Sequence, residues 1–508
     1  MARSDNHVPA PSGRLLAAYG ARALDPVSAQ VLPDQRIQST VYVANRLLMR
    51  DAAPGSHRRP LDDAVRELRL RLDGDARGGR CVRVAPGDGA PATPDAWRVL
   101  QTLRARDARG MRSLGVGLDH LMFATTISGQ PYYSAHPYYS AHPYYSAHPY
   151  YSAHPYYSAH NGPVAQYGMV GFGATQPVNL VLPKPARRTD VSFRRPVVAV
   201  LDTGCGQHDW LAEGVLPAID AIGDTGPGLD SDGDVTGPLD GMRDPLAGHG
   251  TFICGLVRQT CPDADILPIR VIHADGVILE SELLSALQMV ADLARKHANG
   301  EAGGQPIDVV TLSLGFYHES PDDEAYTSLL YEAVRDLADL GIAVVAAAGN
   351  DATARPMFPA AFAATPEGSE EPAVPVSSVG ALNPSGSIAL FSNTGDWVRF
   401  WEPGASVVST VPTSFNHGLQ PAAAVPDPHH GIVRENIDPD NFASGFAVSS
   451  GTSFAAPVFA GRIAQELIAQ ETGSLTAVSL AAGDEPVKRM QRTIETLTAR
   501  QSERFGRR

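Results

Sequence analysis

An unbroken apolar run, Val197-Val198-Ala199-Val200-Leu201, stops on Asp202 and turns at Thr203-Gly204. A run that is apolar on both of its alternating faces must be covered above and below. In a chain of this kind that predicts a strand of a parallel sheet with helices on both sides. Similar runs recur at 266–272, 308–313, 342–348 and 374–381. Amphipathic segments lie between them. Leu283, Ala286, Leu287 and Val290 share one helical face, and Leu330, Ala333, Val334 and Leu337 share another. The alternation predicts an α/β fold, a doubly wound parallel sheet flanked by helices, over residues 190–472. Open sheets of this type gather functional groups at the carboxyl ends of their strands, where Asp202 stands.

Two further strings complete a set of chemistry-bearing residues. His249 lies in Gly248-His249-Gly250-Thr251, and Ser453 in Gly451-Thr452-Ser453-Phe454-Ala455-Ala456-Pro457. A serine hydroxyl is a weak nucleophile that needs a base within hydrogen-bond reach, and the base needs a group to orient it. An imidazole suits the base, and a buried carboxylate suits the orienting role. A helix starting near Ser453 would point its positive end at developing negative charge. A fourth string, Ala346-Ala347-Ala348-Gly349-Asn350, follows the apolar run at 342–345.

In this order, Asp202, His249 and Ser453 resemble the subtilisin-like serine peptidases (subtilases, family S8). The resemblance implies that Asn350 donates its side-chain N–H to the oxyanion, with the backbone N–H of Ser453 as second donor. It implies that Ser313, Leu314 and Gly315 pair with the substrate backbone, by strand addition to a sheet edge. Ala347, Ala348 and Gly349 would form the other wall of the primary side-chain pocket. The expected activity is serine endopeptidase, acting on protein or peptide substrates through an acyl-enzyme, with no metal or organic cofactor. A catalytically silent interaction scaffold on the same fold is the alternative. Two positions depart from the family pattern: Phe252 replaces a frequent second histidine, and Phe454 a frequent methionine. Residues 391–410 follow a family pattern as scaffold.

Other features of the chain are consistent with that reading. The 508 residues carry 41 basic and 55 acidic side chains, a net charge of −14, which gives no general attraction to nucleic acid or anionic membrane. No run of 18 apolar residues occurs, so no membrane span is expected. Leu15-Leu16-Ala17-Ala18 is too short for a secretory h-region, so the sequence as written reads as cytoplasmic, or secreted if its start is misassigned. The sequence does not set an oligomeric state. Cys81, Cys205, Cys254 and Cys261 show no metal spacing and read as reduced thiols, with Cys205 and Cys254 near the proposed acid and base. Asp230, Asp232 and Asp234 miss the EF-hand pattern and read as a solvated acidic turn, with no metal assigned.

Ahead of the main domain, residues 1–37 read as a polar arm and 38–128 as a small α+β domain of βαβαβ pattern. Thr40–Val43, Cys81–Ala85 and Leu118–Thr126 are strand-like. Leu61, Ala64, Val65, Leu68 and Leu72 have helical spacing, and Thr93-Pro94 opens a helix around Trp97. In position and layout this domain is similar to the inhibitory propeptides of subtilisins; an unrelated accessory domain is the alternative. Residues 129–189 form a linker in which Pro-Tyr-Tyr-Ser-Ala-His repeats five times, from Pro131 to His160. A semi-rigid tether of this length spans roughly 90 Å at about 3.1 Å per residue. A stripe of metal-binding histidines is the less favoured reading. Thr413–Asn441 reads as an insertion loop, and 473–508 as a helix followed by a basic tail.

Overall fold

The computed structural model describes residues 11–29, 36–50, 59–73, 80–89, 93–124, 175–223, 228–237, 239–320, 329–364, 376–472 and 486–506. The hexapeptide repeats lie outside the described residues.

The N-terminal part comprises α1 (Gly13–Ala18), β1 (Ala21–Leu24), β2 (Thr40–Leu48), α2 (Arg59–Glu67), β3 (Leu70–Asp73), β4 (Cys81–Pro86), α3 (Ala96–Leu114) and β5 (Gly117–Ala124). The strands β5, β2, β4 and β3 are neighbours in that order, all antiparallel. Leu61, Ala64 and Val65 of α2, with Trp97, Leu100 and Leu103 of α3, bury their apolar faces among Leu47, Val82, Val84 and Leu118 of the sheet.

Two expectations are corrected here. The stretch read as a polar arm contains α1 and β1; β1 pairs antiparallel with β2, which allows Leu24 to be buried. The helical spacing from Leu61 to Leu72 holds only as far as Glu67. Arg69 then turns at φ +54°, and Leu70–Asp73 becomes a strand against β4.

The larger body follows β6 (Gln176–Pro177) with β7 (Val197–Asp202), β8 (Ile219–Asp220), α4 (His249–Thr260), β9 (Asp265–Arg270), β10 (Val277–Leu279), α5 (Glu280–Ala298), β11 (Val309–Leu312), β12 (Leu314–Gly315), α6 (Leu329–Asp339), β13 (Ala343–Ala347), β14 (Val376–Leu382), β15 (Phe400–Pro403), β16 (Val407–Thr410), β17 (Ala424–Asp427), β18 (Ile432–Glu435), β19 (Phe446–Ser449), α7 (Thr452–Thr472) and α8 (Pro486–Gly506). Seven strands form one parallel sheet in the order β15-β14-β13-β11-β7-β9-β8. Parallel crossovers from β7 to β9 and back past it leave α4 packed with α7 and α5 packed with α6, as expected of helices on the two faces of such a sheet. The helix α7 packs against α4 and across β11, β13, β14 and β15. The insertion is no bare loop. It carries the hairpin β17–β18, which leaves Val425, Ile432 and Val433 exposed.

The helix near the C-terminus belongs to this body. Met490 and Leu497 of α8 are buried in its core. Arg489 bonds Asp308 at 3.0 Å and Glu471 at 2.8 Å. Asp308, at the start of the central strand β11, also takes both guanidinium nitrogens of Arg194, at 2.6 and 2.9 Å, and the N–H of Val197 at 2.8 Å. Removing one side of a buried ionic cluster leaves the other uncompensated. Asp308→Ala is expected to cost about 3 kcal/mol of stability, measured as a lower denaturant midpoint at unchanged slope.

Candidate active site

The central strand β7 delivers Asp202 at its carboxyl end, fully buried. The turn after it is tight against the start of α4: a Cβ on Gly250 would collide with the Gly204 carbonyl. Gly248, with φ +80°, lets the chain enter α4 so that His249 is its first residue. As a result His249 Nδ1 lies 2.7 Å from Asp202 Oδ1, both groups buried. The Thr203 N–H donates to the same Oδ1 at 2.8 Å. The pairing orients the ring with its proton on Nδ1 and leaves Nε2 as the accepting nitrogen. Nε2 is buried and, among the described residues, has no hydrogen-bond partner.

Asp230 joins these two segments, contrary to its reading as part of a solvated turn. It is 4 % exposed. Its carboxylate accepts the hydroxyls of Thr203 and Thr251 and, at 2.8 Å, the Thr251 N–H. Thr203 Oγ1 in turn accepts the Gly250 N–H at 2.8 Å, and Thr251 Oγ1 the Gly206 N–H at 2.7 Å. Burial, with a smaller push from the Asp202 charge, lifts the Asp230 carboxyl above its usual range against these hydrogen bonds. Asp232 stays exposed. The sequence signal for Asp230 is weak because its two partners sit in separate motifs.

Ser453 is the second residue of α7 and is fully buried. No hydrogen bond joins it to His249 Nε2, though the adjacent Phe454 ring lies 5.4 Å from the imidazole. Catalytic hydrogen bonds of this kind often form only with substrate present. The two departures from the family pattern meet: Phe454 and Phe252 have ring centroids 4.5 Å apart. Asn350 is bonded to Thr452, the residue before the serine. Its side-chain oxygen accepts the Thr452 N–H and hydroxyl, both at 2.9 Å, which fixes the carboxamide with its N–H₂ end as donor.

Ser313 and Gly349 abut the same turn. Ser313 Oγ donates to the Ser453 carbonyl at 2.9 Å, and the Gly349 N–H to Thr452 Oγ1 at 3.0 Å. Leu314 and Gly315 are paired with Ala124 and Phe123 of β5, so the chain's own strand lies along the edge expected to take substrate. Ala347 ends β13 and Ala348 follows it, both buried. The thiol of Cys254 is pushed well above its ordinary range by its hydrogen bond with Cys205, then by burial and by the Asp230 and Asp202 charges. That makes Cys254 a poor nucleophile.

The Subtilase family profile matches residues 194–506, more than half of the sequence. The chain belongs to the subtilase family. It is 26 % identical over 238 residues to the minor extracellular protease Epr of Bacillus subtilis (strain 168), across 45 % of this chain and 30 % of that protein. It is 27 % identical over 243 residues to a thermophilic serine proteinase of Bacillus sp. (strain AK1), across 46 % of this chain and 49 % of that one. The major intracellular serine protease of Bacillus subtilis (strain 168) is 26 % identical over 248 residues, 46 % of this chain and 65 % of that one. This subtilase thus spans half or less of the first two relatives. Among solved structures, fervidolysin from Fervidobacterium pennivorans, a keratinolytic enzyme related to subtilisin, aligns with a TM-score of 0.45 at 18 % identity, over 87 % of this chain and 56 % of that one. The relatives' names include extracellular and intracellular proteases. Among the described residues no helix is long and apolar enough to cross a membrane.

Asp230→Asn removes the charge that braces the acid and base segments. It is expected to lower kcat about tenfold, equivalent to one lost charge-assisted hydrogen bond, with KM little changed, in steady-state assays on a peptide substrate.

Proposed function

We propose that this subtilase is a serine endopeptidase in which Ser453 attacks the peptide carbonyl, His249 moves the proton and Asp202 orients His249. The observation that carries the reading is the buried Asp202–His249 bond at 2.7 Å, with Nε2 left unengaged beside the first turn of the Ser453 helix. On attack, the serine proton goes to Nε2 and the carbonyl oxygen becomes negative. On this reading the Asn350 amide and the Ser453 N–H, at the positive end of α7, stabilise it. The proton then passes to the leaving amine, and water releases the acyl group.

We propose further that the N-terminal domain is an internal inhibitor. Support comes from β5, whose end is paired on both edges, with β12 on one and β10 on the other. Polar contacts reinforce the docking. Asp119 accepts the Ser281 N–H at 3.0 Å and its hydroxyl at 2.9 Å, at the first turn of α5, where the helix dipole favours an anion. His120 places Nδ1 2.6 Å from Glu280 and Nε2 2.9 Å from Glu319. His318 and Arg104 also face Glu319, at 3.5 and 3.9 Å, and Arg46 faces Asp119 at 3.6 Å.

His120, His318 and Glu319 are near enough to share a cation. The donor pattern favours a proton instead. Ser320 N–H donates to His318 Nδ1 at 2.9 Å, which puts the ring hydrogen on Nε2, the atom a metal would need. Burial holds the His318 imidazole down at about 3. For His120, burial alone would depress the pKa, but its two carboxylate partners outweigh that and lift it to about 10.

Fluorophosphonate treatment, read by intact mass, tests the catalytic reading. Wild type is expected to gain one adduct and Ser453→Ala none; an unlabelled, folded wild type freed of its N-terminal domain would leave only the scaffold reading. Self-processing predicts that wild type appears as two pieces while Ser453→Ala stays whole.

The docking also carries a pH dependence. The His120 pKa is raised on docking, so its contribution is complete below about 6.5 and is lost as pH rises through about 10. Over that window the docking equilibrium weakens by about tenfold per pH unit. In uncleaved Ser453→Ala, hydrogen exchange at 117–124, corrected for intrinsic rate, should rise from pH 7 to 9. In the His120→Gln background that rise should be absent.

A further inference from the structure

The strands β11 and β13 run side by side as far as Leu312 and Ala346, and then part. Beyond them Leu314-Gly315 turns to β5, and the Ala348 N–H turns to the Val379 carbonyl at 2.9 Å. A slot therefore opens between segment 313–315 and segment 347–349. Both walls end against Thr452 and Ser453, through the Ser313 and Gly349 hydrogen bonds. A peptide laid on Leu314-Gly315 with its carbonyl at Ser453 must put the side chain that precedes the cut into this slot.

One side chain touches both walls. A Cβ on Gly315 would come within 2.7 Å of Met357 Cε and 3.1 Å of its Cγ. A Cβ on Gly349 would meet Met357 Sδ closer still. The thioether thus lies between the two glycines, from one wall to the other. Met357 is 5 % exposed. The next residue is anchored by paired hydrogen bonds between Phe358 and Phe316, both at 2.9 Å. Asn393 closes the far side. Its Nδ2 bonds the Ala348 carbonyl and the Tyr317 hydroxyl, each at 2.8 Å, and stands 4.0 Å from Sδ. Behind it, Asp351 and Arg355 pack on Tyr317. The methionine is thus buried with Gly315, Gly349 and Asn393 as near neighbours.

We propose that Met357 fills the floor of this slot and sets the substrate class of the enzyme: peptides cut after glycine, alanine or serine, with aromatic and long aliphatic residues excluded. The proposal rests on the serine endopeptidase reading. Gly315 and Gly349 have no side chains to narrow the slot; the thioether between them does so. A methyl or hydroxymethyl group fits above it, while a larger group must displace buried atoms. Apolar pockets discriminate by roughly 10- to 200-fold per methylene-sized change, so the gap between alanine and phenylalanine should be large.

The experiment uses the full chain and a set of fluorogenic peptides that differ only at the residue before the cut: Gly, Ala, Ser, Leu and Phe. Active enzyme is counted in each sample by fluorophosphonate labelling. Wild type is expected to favour Ala over Phe by about 100-fold in kcat/KM. Met357→Ala, which removes Cγ, Sδ and Cε, should narrow or reverse that ratio by at least about tenfold, and Met357→Leu should keep it. A labelled wild type that takes Phe or Leu as well as Ala overturns the assignment, as does a labelled Met357→Ala with an unchanged ratio. If Met357→Ala does not fold, the wild-type profile alone decides. Absence of labelling in a sample freed of its N-terminal domain would instead overturn the peptidase reading.

Discussion

Asp230 accepts hydrogen bonds from Thr203 on one side and Thr251 on the other. Those threonines receive the Gly250 and Gly206 N–H groups, so four backbone positions from two distant segments are tied through one carboxylate. The turn after β7 and the first turn of α4 cannot shift apart without breaking that set. The Asp202–His249 distance is therefore a property of the scaffold, fixed before any ligand arrives. Pre-organisation of this kind is where much of an enzyme's advantage over water arises. Here it is held by a residue that touches neither the imidazole nor the serine.

The second organising contact is between the two bodies. One strand, β5, lies between β10 on one edge and, on the other, β2 along its first half and β12 at its end. Around it the interface mixes apolar packing of Val43 and Leu121 against Val277 and Leu279 with the Asp119 and His120 contacts. The apolar part gives affinity without direction, while the ionic part fixes register and adds sensitivity to protons. Arg355 adds a polar pin, its guanidinium reaching the Ser39 carbonyl and, at 3.1 Å, the His318 carbonyl.

Much of this was legible in the sequence where local pattern and tertiary demand agree. The buried strands are apolar on both faces, and their observed limits fall within two residues of the runs at 197, 266, 308, 342 and 374. Asp202, His249 and Ser453 are marked by small residues that permit close backbone approach. What stayed hidden depends on partners remote in sequence. Asp230 looks like any acid in a Gly-rich loop until Thr203 and Thr251 surround it. Leu72 continues the helical spacing of Leu61 to Leu68, and only the pairing of Leu70–Asp73 with β4 makes it a strand residue. The unusual Phe252 and Phe454 read as separate departures, whereas together they form one aromatic contact. Met357 carries no motif at all; its role emerges from two glycines more than thirty positions apart.

The Asp308 cluster has a bearing on endurance. Arg194 comes from the segment that leads into the central sheet and Arg489 from the last helix, and both close on one carboxylate. The body is in effect clasped where its two ends meet. Detaching either segment from the sheet must open the clasp, and on the endopeptidase reading a detached segment is backbone open to cutting. On the endopeptidase reading, a molecule that meets its own copies at high concentration gains working life from such a clasp, because these two segments are withheld from cutting.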